Sequence, residues 1–297
     1  MLNRWTLALV VLASLGLLAW GCAGTYTTDD DDTTDDADDD DNDAGDDDDT
    51  GDDDGGDDDG GDDDGGDDDG GDDDTGPTNS CNPWDPIDLM GANWLYNSTY
   101  SFMMQGKPQG DTGQESVAAD GPTTFQGYTV YQRAGNFAGA AQNASWWGYN
   151  NCEAGGNVDY GSYVQDAGQQ MTVLTVNSPQ VMYLPYDPDQ QVGYTWNTNY
   201  TQMVDAPQLG KPGSFQANWN WQVVGMESVN VTAGSFQAAH IHADYTSQDQ
   251  LGSHNGMLDT YWVKGVGLVK WDEQRPSEGG LYIYRELQSY GGPLAPE

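Results

Sequence analysis

His240-Ile241-His242-Ala243-Asp244 is the segment of this sequence whose residue types and spacing come nearest to chemistry. Alternate residues of an extended strand share a face and stand about 7 Å apart, so His240, His242 and Asp244 present two imidazoles and a carboxylate on one side. That is a donor set for zinc or copper, with His254 as a further donor, and it would suit a metal-binding protein or a metal-dependent hydrolase. The same alternation describes the wet face of a half-exposed strand. The sequence fixes no Cys or Glu partner, so a polar face is the expected reading and a metal site the alternative. No Gly-x-Ser-x-Gly elbow, His-Glu-x-x-His helix or Walker loop is present, and Glu227 and Asp244 would form a glycosidase pair only at the right separation. No catalytic residue is assigned, and a non-enzymatic role is expected.

The aromatic residues point to binding. Eleven Trp and 17 Tyr against 5 Phe favour rings with a polar tip over purely apolar ones. Such rings line sugar-binding clefts and protein interfaces, stacking by their faces while N–H or O–H meets water or ligand. Trp146, Trp147 and Tyr149, near Cys152, and Trp219 and Trp221 are the candidates for a hydrophobic or glycan ligand, or a protein partner. Of the adjacent Trp146 and Trp147, one must face the core.

The elements that position these residues read as strands. Phe215, Ala217, Trp219, Trp221 and Val223 alternate with Gln216, Asn218, Asn220 and Gln222, an apolar stripe backed by amides with the period of two that marks a strand. Similar runs are 95–104, 124–132, 171–176, 181–186, 194–203, 236–245, 260–264, 268–272 and 281–290, and no interval supports a helix of three turns. Asp120-Gly121-Pro122, Thr232-Ala233-Gly234 and Ser277-Glu278-Gly279-Gly280 separate runs at hairpin distance. Gly265-Val266-Gly267 reads as a bend between strands, not a phosphate loop, since no helix follows. The fold class is all-β, one antiparallel and strongly curved sheet.

Charge divides the chain. Of 50 acidic residues, 30 lie between Asp29 and Asp74 with no Lys or Arg among them, ending in four Gly-Gly-Asp-Asp-Asp units. Such a stretch buries no core and reads as a disordered, self-repelling linker over 23–77. Its adjacent carboxylates suit weak Ca2+ condensation and lack the ligand spacing of a calcium loop; no cofactor is expected. The remaining acids, 50 − 30 = 20, face 7 basic residues from Thr75 onward, a net of −13. That balance excludes nucleic acid and bare anionic lipid as partners, because binding there runs on Lys and Arg.

Residues 1–22 carry a positive start, an apolar run from Trp5 to Leu18 and then Ala19-Trp20-Gly21-Cys22, the layout of a secretory signal and too short a run for a membrane span. Gly21-Cys22 resembles the end of the bacterial lipobox, although Ala19 stands where Leu is usual. The resemblance implies lipidation of Cys22, with cleavage by ordinary signal peptidase as the alternative, and Ala23 then favours the outer membrane, facing periplasm or cell surface. With Cys22 lipidated, Cys81 and Cys152 remain to pair as a disulfide in the β-domain at 78–297.

A second resemblance covers residues 194–290. Gly225-Met226-Glu227 to Gly234-Ser235-Phe236, then Tyr261-Trp262 with Gly265-Val266-Gly267-Leu268-Val269, then Glu286-Leu287 come in the order seen in a family of bacterial exported β-domains of unknown function. It implies a half-barrel similar to the Lol-type lipoprotein carriers, which hold acyl chains against a concave sheet; the carriers' lid and plug helices have no counterpart in this sequence.

Overall fold

The computed structural model describes residues 81–104, 107–140, 143–166, 171–206, 213–249, 252–278 and 280–294. The export signal, Cys22 and the acidic linker expected at 23–77 lie outside these residues. The described residues build twelve strands: β1 (Asn93–Met104), β2 (Lys107–Phe125), β3 (Tyr128–Gly139), β4 (Asn143–Glu153), β5 (Gly156–Asp166), β6 (Met171–Pro185), β7 (Thr195–Asp205), β8 (Gly213–Val231), β9 (Gly234–Asp249), β10 (Gly252–Val263), β11 (Gly267–Arg275) and β12 (Leu281–Gly291). Each pairs antiparallel with its neighbours in sequence, as an all-β chain with hairpin-length connections requires. The curvature runs on to closure. β1 also pairs with β12, from Asn93 against Gly291 to Ser101 against Tyr282, and the single sheet becomes a barrel.

Three expected boundaries are corrected. The run 124–132 straddles the β2–β3 hairpin, where Gln126 and Gly127 take φ of 49° and 85°, the left-handed pair that a two-residue turn demands. Asp120-Gly121-Pro122 is not a turn; it lies within β2 at a register shift between Ala119 and Gly121, and a bulge uses the same glycine signal as a turn. The runs 171–176 and 181–186 are two halves of β6, which continues past Pro179.

Twelve strands enclose more space than eight, whose lumen side chains just fill. Here indole and phenol rings fill it. Trp94, Trp146, Trp219, Trp221, Trp262 and Trp271 are buried on inward positions, with Tyr96, Tyr100, Tyr183, Tyr200 and Tyr245 among them. Rings this deep need a partner for their N–H or O–H, and for Trp94 and Tyr96 backbone carbonyls supply it. Trp94 Nε1 donates to the Val266 carbonyl at 2.6 Å and Tyr96 Oη to the Leu268 carbonyl at 3.0 Å. Glycine makes room where a ring lies flat on the wall. A Cβ on Gly135 would fall 2.1 Å from the Trp146 ring of the paired strand.

One end of the barrel is stoppered by residues 82–92, which sequence periodicity did not reveal. Trp84 and Ile87 are buried there, Gly265 donates its N–H to the Pro83 carbonyl at 2.7 Å, and the Cys81–Cys152 disulfide ties the segment to the end of β4. The far end of the β8–β9 hairpin, bent at a register shift between Val223 and Gly225, also reaches over: the Ala233 N–H donates to the Leu287 carbonyl of β12 at 2.9 Å.

Candidate functional site

His240 and His242 stand on β9 at outward positions, with Asp259 on β10 directly opposite His242. His240 Nδ1 lies 2.9 Å from Glu227 and its Nε2 2.8 Å from Asp259; His242 Nδ1 lies 2.8 Å from the same Asp259 oxygen and its Nε2 3.5 Å from Asp244. Each imidazole nitrogen thus faces a carboxylate. The convergence of His240, His242 and Asp244 expected of a metal centre is not formed, and no group of three metal-ligating side chains fit to hold an ion occurs among the described residues. His254 cannot complete one. It shares its parity along β10 with the inward-facing Leu258, Thr260 and Trp262, whereas Asp259 takes the outward one. Burial opposes protonation of His240, but hydrogen bonds to Asp259 and Glu227 outweigh it and hold its pKa above the ordinary value; burial likewise opposes ionisation of Asp259, but its hydrogen bonds with His240 and His242 outweigh that and hold its pKa below the ordinary value. The cluster is a polar ladder on the outer wall, with His240 stacked on Tyr261 at 4.5 Å.

The aromatic candidates divide by strand parity. Trp147 and Tyr149 face outward and are half-buried, Trp147 near Tyr163 at 5.5 Å and Tyr149 stacked on Phe125 at 4.0 Å. Trp146, Trp219 and Trp221 face inward and are buried. Trp219 and Trp221 sit within a file of five stacked rings: Tyr194, Trp196, Trp221, Trp219 and Tyr245 follow one another with centroids 5.6, 5.6, 5.1 and 4.1 Å apart. The cavity beside this file, lined by Asp159, Tyr200, Gln202, Trp219, Leu258 and Glu273 among others, has a volume of about 40 Å³. That is room for water and not for an acyl chain.

Four buried carboxyls find hydrogen-bond donors inside the barrel. Glu115 accepts from Ser98 Oγ and Trp146 Nε1, both at 2.8 Å, and forms an ion pair with Arg285 at 2.9 Å. Glu273 accepts from Arg275 Nε at 2.6 Å, Tyr245 Oη at 3.1 Å and Trp271 Nε1 at 3.2 Å. Asp85, in the stopper, accepts from Arg133, from Tyr183 Oη at 2.6 Å and from Asn157 Nδ2 at 3.1 Å. Asp159 alone of these four carboxyls has only amides for its partners: Asn150, Asn177 and the Gly161 N–H. Burial pushes its pKa up to about 7, against the pull of those donors.

On the outer wall the sheet parts between β6 and β7. The two pair only from Leu174 against Asp205 to Ser178 against Thr201, because Pro179 has no N–H to continue the ladder. Beyond it Trp196 Nε1 bridges to the Met182 carbonyl at 3.0 Å. A groove of about 410 Å³ begins at this parting and runs over β7, β8 and β9 to Ser253. Its outward side chains are uncharged. Ser178, Thr201, Gln216, Gln248 and Ser253 are successive cross-strand partners, and Asn199, Asn218, Thr246 and Asn255 form the next row. The alternation along 215–223 signalled the amides of β8; their alignment with β7 and β9 depends on register, which no local spacing carries.

No protein-family model matches the chain, and no curated protein matches it. Among solved structures it is similar to a protein assigned as a lipoprotein from Parabacteroides distasonis, at 13% identity over 70% of this chain and 98% of that chain, with a TM-score of 0.42. It is also similar to a protein assigned as exported, with a YmcC-like fold, from Bacteroides fragilis, at 14% identity over 69% and 97% of the two chains and a TM-score of 0.39. A DUF1329 family protein from Desulfovibrio piger gives 9% identity over 70% and 88%, with a TM-score of 0.27.

Proposed function

We propose that the chain is a non-enzymatic, lipid-anchored protein of the cell envelope whose barrel stands off the membrane on its acidic linker and binds its partner on the outer wall. The observation that carries the binding part is the filled lumen: among the described residues, the cavity beside the buried rings and hydrogen-bonded carboxyls has about 40 Å³, too little for an acyl chain. The anchor rests on Gly21-Cys22 at the end of the apolar run and the reach on the linker's composition. Roughly 50 residues of self-repelling chain extend at most about 3.3 Å each.

Expression of the full chain in an exporting bacterial host with labelled palmitate tests the anchor. Label should follow the chain into the membrane fraction and disappear in Cys22→Ala; an unlabelled, freely soluble wild-type chain overturns this part. Native mass spectrometry of the same material tests the filled lumen, where a non-covalent adduct of acyl-lipid mass would falsify outer-wall binding.

A further inference from the structure

We propose that the groove over β6–β10 is a binding site for a neutral oligosaccharide lying across the strands. The inference rests on the outer-wall reading and adds the place and the ligand class. Nine outward positions in two adjacent rows carry Ser, Thr, Asn or Gln and no ionisable group, in a domain whose net charge is −13 by the count above. Each amide carries two N–H donors and a carbonyl acceptor, and each hydroxyl both donates and accepts. Asn199 and Asn218 already donate one N–H each within a network that also holds Asn197 and Asn220, and the second N–H of each, with the Gln amides and the hydroxyls, is the complement of a hydroxyl-covered ring. Strands lie about 4.8 Å apart, close to the advance of one pyranose unit along an extended glycan, so consecutive sugars meet consecutive side chains of a row. Met203, 55% exposed at the next outward position of β7, supplies an apolar ledge for a sugar's C–H face.

Competing ligand classes fit less well. An anionic glycan or a phosphate finds no Lys or Arg in the lining and is repelled by the acidic domain. An acyl chain would cover amides without pairing them. A peptide adding as a strand needs an open edge, whereas β8 and β9, which floor the groove, are paired on both sides, and where β6 and β7 part Trp196 spans the gap to the Met182 carbonyl.

The test is NMR of side-chain amide and indole N–H groups in the full chain, held in a sugar-free detergent. It is titrated with maltotetraose, cellotetraose and the tetramer of N-acetylglucosamine, with tetragalacturonate as the anionic comparison. At least one neutral tetramer should shift the amides of Asn199, Gln216, Asn218 and Gln248, and tetragalacturonate should bind about tenfold or more weakly, about 1.4 kcal/mol. Gln216→Ala and Asn218→Ala should each weaken the neutral ligand about fivefold to tenfold with near-ultraviolet circular dichroism unchanged; Asn218→Asp keeps the side chain's shape and should weaken it as well. No shift from any neutral tetramer up to about 10 mM, an affinity floor near 3 kcal/mol, overturns the proposal. Shifts confined to the Trp147 and Tyr163 side of the wall overturn the site and leave outer-wall binding standing, whereas shifts of the buried Trp219 and Trp221 indoles overturn both.

Discussion

At the scale of single residues, the barrel's stability turns on charges taken out of water. Glu115 and Glu273 are each about 1% exposed, and Arg285 and Arg275 face them from neighbouring positions. An unpaired buried ion is costly, so Arg285→Met should lower stability by about 3–5 kcal/mol and the double variant Arg285→Met with Glu115→Gln should recover part of it. Urea unfolding decides this: a single variant within about 1 kcal/mol of the wild type would mean that Glu115 is held by Ser98 and Trp146 alone. Asp159 gives the fold a pH dependence of definite sign. Its pKa is about 7 in the barrel against the ordinary 3.8. As pH rises through that window the unfolded chain gives up the proton while the native state keeps it, and stability falls, levelling off above the folded value. Asp159→Asn should flatten the decline in urea midpoint between about pH 4 and pH 7, and parallel declines in both proteins would place its source elsewhere.

At the scale of elements, the stopper at 82–92 depends on one covalent tie. Cys81 and Cys152 are 71 residues apart in sequence with Cα atoms 6.0 Å apart, and closing a loop of that length is worth about 4 kcal/mol on the chain-entropy account. Reduction, or Cys81→Ala with Cys152→Ala, should lower stability by about that amount and expose Trp84, read as a red shift of its emission; an unchanged spectrum and midpoint would show that Trp84, Ile87 and the Asp85 network seat the stopper unaided. The ease of reading these elements from sequence follows their chemistry. β8 was legible because all its inward residues from Phe215 to Val223 are apolar or aromatic. β2 was hidden because Asp111 and Glu115 occupy inward positions among Gly, Gln and Ser, so partnered charge broke the alternation. The stopper has no period at all, since its residues are held by single long-range contacts. The groove was half legible: the amides of β8 announced a polar face, while its two rows exist only because four successive antiparallel pairings fix five strands in register.

At the scale of the whole molecule, closure is what separates this barrel from an open carrier-like sheet. The β1–β12 ladder joins residues nearly 200 positions apart, Asn93 with Gly291, so the first strand can complete its pairing only when the last has arrived. Long-range pairing of that kind makes folding slow. It also leaves no stable half, since an open version would present two strand edges and a lumen face of indoles to water. A chain ending after residue 280, and so lacking β12, should therefore aggregate or remain without the near-ultraviolet signature of packed Trp, because β1 and β11 become free edges and Glu115 loses Arg285 with the deleted strand. Soluble, monomeric material with a native-like spectrum would show instead that the sheet is stable open. The filled lumen would then be a consequence of closure and not its cause, and an interior ligand would regain room to bind. Loss of the fold would tie the packed core to the ladder that seals it, as the proposed binding on the outer wall requires.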